Sequence, residues 1–151
     1  MSASDTCESG LLALVLQNAG FANIGDATGL RGSTVAGSLY ISLHTADPGE
    51  TGTQATNETV YTNYVRVAVT RASGAGGWTI SGTAPTSGSN TSVVTFATCG
   101  ATGATLTHFG VGTTSSGATT LLFSGALTSS LAVSNGVTPS FAAAALAVTC
   151  D

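Results

Sequence analysis

The chain has 151 residues, enough for one core of ordinary size, yet only 7% of them are charged and none is lysine. Three scattered arginines, a net charge of −4 and a pI near 4.7 exclude the clustered cations that phosphate backbones require, so nucleic acid is not an expected partner. With 42% hydrophobic residues and a mean hydropathy of +0.37, the surface is expected to be hydroxyl-rich and in part buried against partners.

The run Ser4-Asp5-Thr6-Cys7-Glu8 reads as a capping box, with Asp5 as the cap and Glu8 at the third helical position. Leu11, Leu12, Val15 and Leu16 recur at three- and four-residue spacing, Leu14 widens the stripe, and Gly20 is a fitting stop. A helix over 6–19 follows, buried on its own sheet or against another subunit. Residues 21–37, punctuated by Gly25, Gly29, Gly32 and Gly37, read as an extended arm carrying Asp26 and Arg31. Two alternating stretches come next, 39–44 and 65–70, each with the period of a half-buried strand. The polar loop between them opens on Asp47-Pro48-Gly49, carries Glu50 and Glu58, and is either solvated or in contact with a partner.

Beyond a Gly-rich turn, Trp78 sits in a short strand as a core anchor, and the Gly/Ser/Pro-rich run 82–90 reads as loop. Strands are then expected at 92–97, 105–111, 120–123, 126–133 and 137–149, the last broken near Ala142, with a tight turn at Asn135-Gly136. Such spacing predicts a mainly β chain: an antiparallel β-sandwich or jelly-roll-like domain over 38–151, preceded by one N-terminal α-helix and an extended arm over 1–37.

Titratable groups are sparse. His44 and His108 lie on strands that could be neighbours, but no third ligand stands at zinc spacing. Asp47, Glu50 and Glu58 match no calcium-loop pattern, and neither a nucleophile elbow nor a dinucleotide fingerprint is present, so neither enzyme, metal nor cofactor is expected. Binding residues are the better candidates. Tyr64 and Arg66 share a strand face and are of the types that anchor interfaces, unless Arg66 merely lies over the ring; Leu11, Leu12 and Val15 are candidate contacts on the helix. Cys7, Cys99 and Cys150 read either as buried thiols or as bridges between subunits or termini, formed after release from a reducing cytoplasm. The apolar run 11–16 is too short to cross a bilayer, and Asp5 and Glu8 stand where a signal peptide carries cations, so no membrane partner is expected and synthesis and retention in the host cytoplasm are.

The run 39–50, LYISLHTADPGE, followed by YTNYVRVAV at 61–69, GGWTISG at 76–82, THFGVG at 107–112 and SGAL at 124–127, resembles a family of small tailed-phage virion proteins described as tail-fibre-like or head decoration proteins. The resemblance covers most of the chain from Leu11 onward and implies a virion location. The role expected from it is capsid decoration: a cement protein, its acidity compatible with the outside of the shell and unfavourable on the DNA-facing inside, binding the major capsid protein on the outer head surface and itself as a trimer. A tail-fibre or baseplate component is the alternative. A carbohydrate-binding module is a third reading, with Trp78 and Tyr61 as the available aromatics.

Overall fold

The computed structural model, which describes residues 3–82 and 85–150, begins with helix α1 (Asp5–Gln17). Ser4, rather than Asp5, is its cap: the Ser4 backbone is extended and its Oγ accepts the Cys7 amide at 3.4 Å. Asp5 falls in the first turn, where its charge still faces the positive helix end. The helix stops at Asn18, before Gly20, because Asn18 takes a left-handed φ of 57° and its side chain clamps Ser33, accepting its amide at 2.6 Å and donating to its carbonyl at 2.9 Å.

The strands are β1 (Ser38–His44), β2 (Val67–Thr70), β3 (Trp78–Ser81), β4 (Thr86–Asn90), β5 (Val94–Thr95), β6 (Ala104–Gly112), β7 (Leu121–Val133), β8 (Ser140–Phe141) and β9 (Ala147–Cys150). The chain is mainly β, with antiparallel sheets and one N-terminal helix, as a β-sandwich requires. By contact it divides into two units that interleave along the sequence. Unit 1 lies within 1–38, 69–93 and 142–151; unit 2 comprises Leu39–Ala68 and Val94–Phe141.

In unit 1 the antiparallel order is β3-β4-β9, and α1 buries Glu8, Leu12 and Leu16, one stripe at four-residue spacing. β4 corrects the expectation of a loop over 82–90, of which residues 83 and 84 lie outside the described set. Its glycine and small polar residues are what the packing demands: a Cβ on Gly88 would collide with the Leu16 side chain, while Thr86 and Asn90 are buried. Asn90 also explains the break near Ala142. Its amide donates to the carbonyls of Ser92 (2.7 Å) and Ala142 (2.8 Å) and its Oδ1 accepts Leu146 N–H (2.9 Å), turning the chain through Ala144 at φ 62° into β9. Arg71 closes the other end of the helix, donating to the carbonyls of Leu14 (2.8 Å) and Val15 (2.7 Å) and to that of Ala36. Trp78 is fully buried, in keeping with a core anchor.

In unit 2, β1, β6 and β7 belong to a sheet of order β2-β1-β6-β7, β2 being the stretch in which the chain passes from one unit to the other. Leu43 pairs with Phe109 and Phe109 with Gly125, so one face is apolar. The Phe109 ring meets Phe141 of β8 edge-on at 6.0 Å, Phe141 meets Phe96 at 6.2 Å, and Phe96 stacks on Tyr64 at 6.3 Å, closing the sheet against the β5–β8 pair. The two strands expected at 120–123 and 126–133 are one. Ser124 and Gly125, paired with Gly110 and Phe109, carry the strand across the expected gap, and a bulge follows: Leu106 pairs with Leu131 and His108 with Ala126, so residues 127–130 stand opposite Thr107 alone. The expected strand at 92–97 shortens to β5, and Gly136 takes φ 84° in the turn expected there.

Leu16→Ala is expected to lower stability by about 2–5 kcal/mol. Gly88→Ala is expected to be destabilising in the native background and much less so alongside Leu16→Ala, since the second change removes the side chain it strikes. Urea titrations of the two single variants and the double variant measure that coupling.

Candidate functional site

The chemistry-bearing residues of unit 2 gather around the loop that follows β1. From Ile41 to His44 this strand is buried on both faces, not on the one face its alternation suggests, because the loop folds back over the outer face. Thr45 N–H donates to the Asn57 carbonyl and Thr59 N–H to the Leu43 carbonyl, both at 2.9 Å. Gln54 is the fastener. Completely buried, it donates to the Tyr40 carbonyl (3.2 Å) and accepts from Thr114 N–H (3.2 Å) and the Thr119 hydroxyl (2.8 Å), in space left open by Gly112. Nothing in the sequence marked Gln54, one amide in a Thr-rich stretch; its role depends on a turn some sixty residues further along.

His44 lies under the same loop. Its Nδ1 is 2.8 Å from the Thr56 carbonyl, which can only accept, so Nδ1 carries the proton and Nε2 accepts from the Ser42 hydroxyl at 2.8 Å. Burial pushes the imidazole below its ordinary range, against the opposing pull of the Thr56 carbonyl and the Glu58 carboxylate. His44 and His108 are register partners on β1 and β6, as neighbouring strands allow. Among the described residues no group of three His, Cys, Asp or Glu is placed to hold a metal ion.

Glu58 turns inward and meets Arg66 through two bonds of 2.7 Å, from Nε to Oε1 and from Nη2 to Oε2. The Arg66 side chain is 2% exposed and that of Glu58 15%. The remaining guanidinium donors reach the carbonyls of Thr114 (3.1 Å) and Gly117 (2.8 Å) in the β6–β7 turn. Tyr64 completes the network, donating its hydroxyl to Glu58 at 2.8 Å and accepting Leu43 N–H at 3.0 Å. Burial pushes the Tyr64 phenol up, and the Glu58 bonds hold Arg66 above its ordinary value. The inward turn of Arg66 is also why β2 starts only at Val67, later than the alternation from Val65 suggests.

Tyr64 and Arg66 are thus brought together inside the fold, with Glu58. Leu12 likewise belongs to the core of unit 1, whereas Leu11 is 38% exposed and Val15 half-buried. All three cysteines are free thiols; Cys99 is buried and donates to the Thr102 carbonyl, and Cys7 and Cys150 are half-buried. Val60 and Val65 are exposed on the chain that leads to Arg66. A hollow of about 250 Å³ opens beside the β7 bulge, lined by Leu106, Leu127, Leu131, Pro139 and Phe141 among others. Asp47 and Glu50 line a separate groove against β7.

Small antiparallel sheets with arginines held by backbone carbonyls define a mainly β protein. The sequence profile of the Gp80 family, described as podophage GP4 fiber I protein gp80, matches residues 2–149, and the chain belongs to that family. It is a tailed-phage virion structural protein. A search of curated proteins finds no match.

Glu58→Gln, which leaves the buried guanidinium without its counter-charge, is expected to cost about 3–5 kcal/mol, and Glu58→Gln with Arg66→Met less than the sum of the two single changes. Chemical denaturation at neutral pH measures this cycle. Because His44 is held neutral, its folded value lies below the ordinary 6.5 and the unfolded chain takes up the proton first. Its contribution is fully present above pH 6.5 and declines as the pH falls through the depressed value, by at most about 1.4 kcal/mol per pH unit. His44→Gln is expected to flatten that part of the stability–pH curve, read from urea midpoints between pH 4.5 and 7.5.

Proposed function

We propose that the protein is a non-catalytic subunit of the fibre apparatus of a podophage virion, working by packing against copies of itself and neighbouring virion proteins. The observation that carries this reading is the family match across 2–149, whose description is of a fibre protein. The composition supports it: no Asp, Glu, Lys or Arg occurs from Ala72 to Cys150, so β6, β7 and the turns between them offer hydroxyls, backbone and apolar side chains for contact. Exposed Val60 and Val65 on unit 2 and Ile24 and Val35 on unit 1 suit burial in an assembly. A trimer is the oligomer proposed, since fibres built on three-fold symmetry close their interfaces without an exposed end.

Gold-labelled antibody against the protein, imaged on intact virions, tests the location. Label at the tail with a few to a few tens of copies per particle is expected. Label spread over the head with hundreds of copies would replace this reading with head decoration, in which the major capsid protein is the partner.

A further inference from the structure

Three arginines are the chain's whole complement of Lys and Arg, and two of them are committed inside the fold. Arg66 is held by Glu58, Thr114 and Gly117, and Arg71 by Leu14, Val15, Ser33 and Ala36. Arg31 is exposed and has neither a hydrogen-bond nor an ion-pair partner among the described residues. It stands on a braced arm. Phe21 and Leu30 exchange backbone bonds of 2.7 and 2.9 Å, Asn18 grips Ser33 at one end, and the Asp26 carboxylate is occupied by Thr28 and Gly29. The arm also presents Ile24, in the turn between Phe21 and Leu30, and Leu30 itself, 44% and 40% exposed.

On unit 2 the loop after β1 covers β1 and part of β6 but leaves a groove against the outer face of β7. Two adjoining hollows of about 270 and 300 Å³ share Gly49, Glu50 and Ser124. Leu121, Leu122 and Phe123 line one, and Asp47, His108 and Ala126 the other. Both acids are exposed: one Asp47 oxygen accepts Gly49 N–H at 2.9 Å, and Glu50 has no hydrogen-bond partner among the described residues. The groove therefore pairs an apolar wall with two carboxylates, and the arm pairs apolar side chains with a single cation.

We infer that the groove beside β7 receives the Arg31 arm of a second copy, with the guanidinium against Asp47 and Glu50 and with Leu30 and Ile24 against Leu121 and Leu122. Donor and acceptor patches are different surfaces, so the contact joins copies as a reciprocal two-fold pair, a closed ring or a filament. A braced arm loses little conformational entropy on docking, which favours binding by a surface this small. The inference rests on the reading of the protein as a self-packing virion subunit, but its test needs no virion.

The test is sedimentation of the purified full chain from 1 to 200 μM, with circular dichroism to establish that each variant is folded. Wild-type protein is expected to associate with rising concentration, and less so at 0.5 M salt. Arg31→Glu, and separately Asp47→Lys with Glu50→Lys, are each expected to weaken association at least tenfold, and the three changes combined to restore it. A wild-type monomer throughout, undiminished association of folded Arg31→Glu, or no recovery in the folded triple variant overturns the contact. Each of these leaves the fibre reading standing if gold label still falls on the tail. Label on the head, with the charge swap recovering association, overturns the location and keeps the contact.

Discussion

The bidentate pair between Arg66 and Glu58 is the constraint on which unit 2 is built. One guanidinium joins the loop after β1 to the β6–β7 turn, and through Glu58 the Tyr64 hydroxyl ties both to the β1 backbone at Leu43. A planar donor with five N–H groups is the side chain that can do this, and a lysine could not replace it. Burial makes the network stringent, because any member removed leaves a charge or a polar group with neither partner nor water.

Unit 1 uses the same device in a different setting. Arg71 has no carboxylate partner among the described residues; it satisfies carbonyls at the end of α1, where helix geometry leaves oxygens unbonded and a positive charge complements the dipole. The same guanidinium holds the base of the arm at Ser33 and Ala36. Each unit thus has an arginine organising its irregular segments, which regular sheet bonding cannot reach. In a chain so poor in cations, that leaves Arg31 as the basic side chain facing solvent.

The long stretch from Ala72 to Cys150 carries no Asp, Glu, Lys or Arg. Hydroxyl and glycine-rich strands keep their solubility through hydrogen bonding, but they lack the lysines and prolines with which isolated sheets discourage edge contact. β7 is the outer strand of its sheet, thirteen residues long, and register shifts at Leu122 and at 127–130 interrupt its regular pairing. Such a surface is suited to a particle in which neighbouring chains occupy it.

The sequence by itself determined the class and much of the local structure: one capped N-terminal helix, the alternation of 39–44, the strand in β6, the Asn135-Gly136 turn, the buried Trp78 and the likeness to phage virion proteins. These depend on periodicity, on turn residues and on patterns close together in the chain. Only the tertiary structure decided that 86–90 is a strand, since its glycine and serines read as loop until Leu16 lies across Gly88. Only it could turn Arg66 from a candidate surface anchor into the buried partner of Glu58, and give Gln54 its place. A side chain's alternation fixes which face of a strand it occupies; whether that face meets water or another segment depends on where distant residues return, and the two interleaved units bring together segments that lie far apart in sequence.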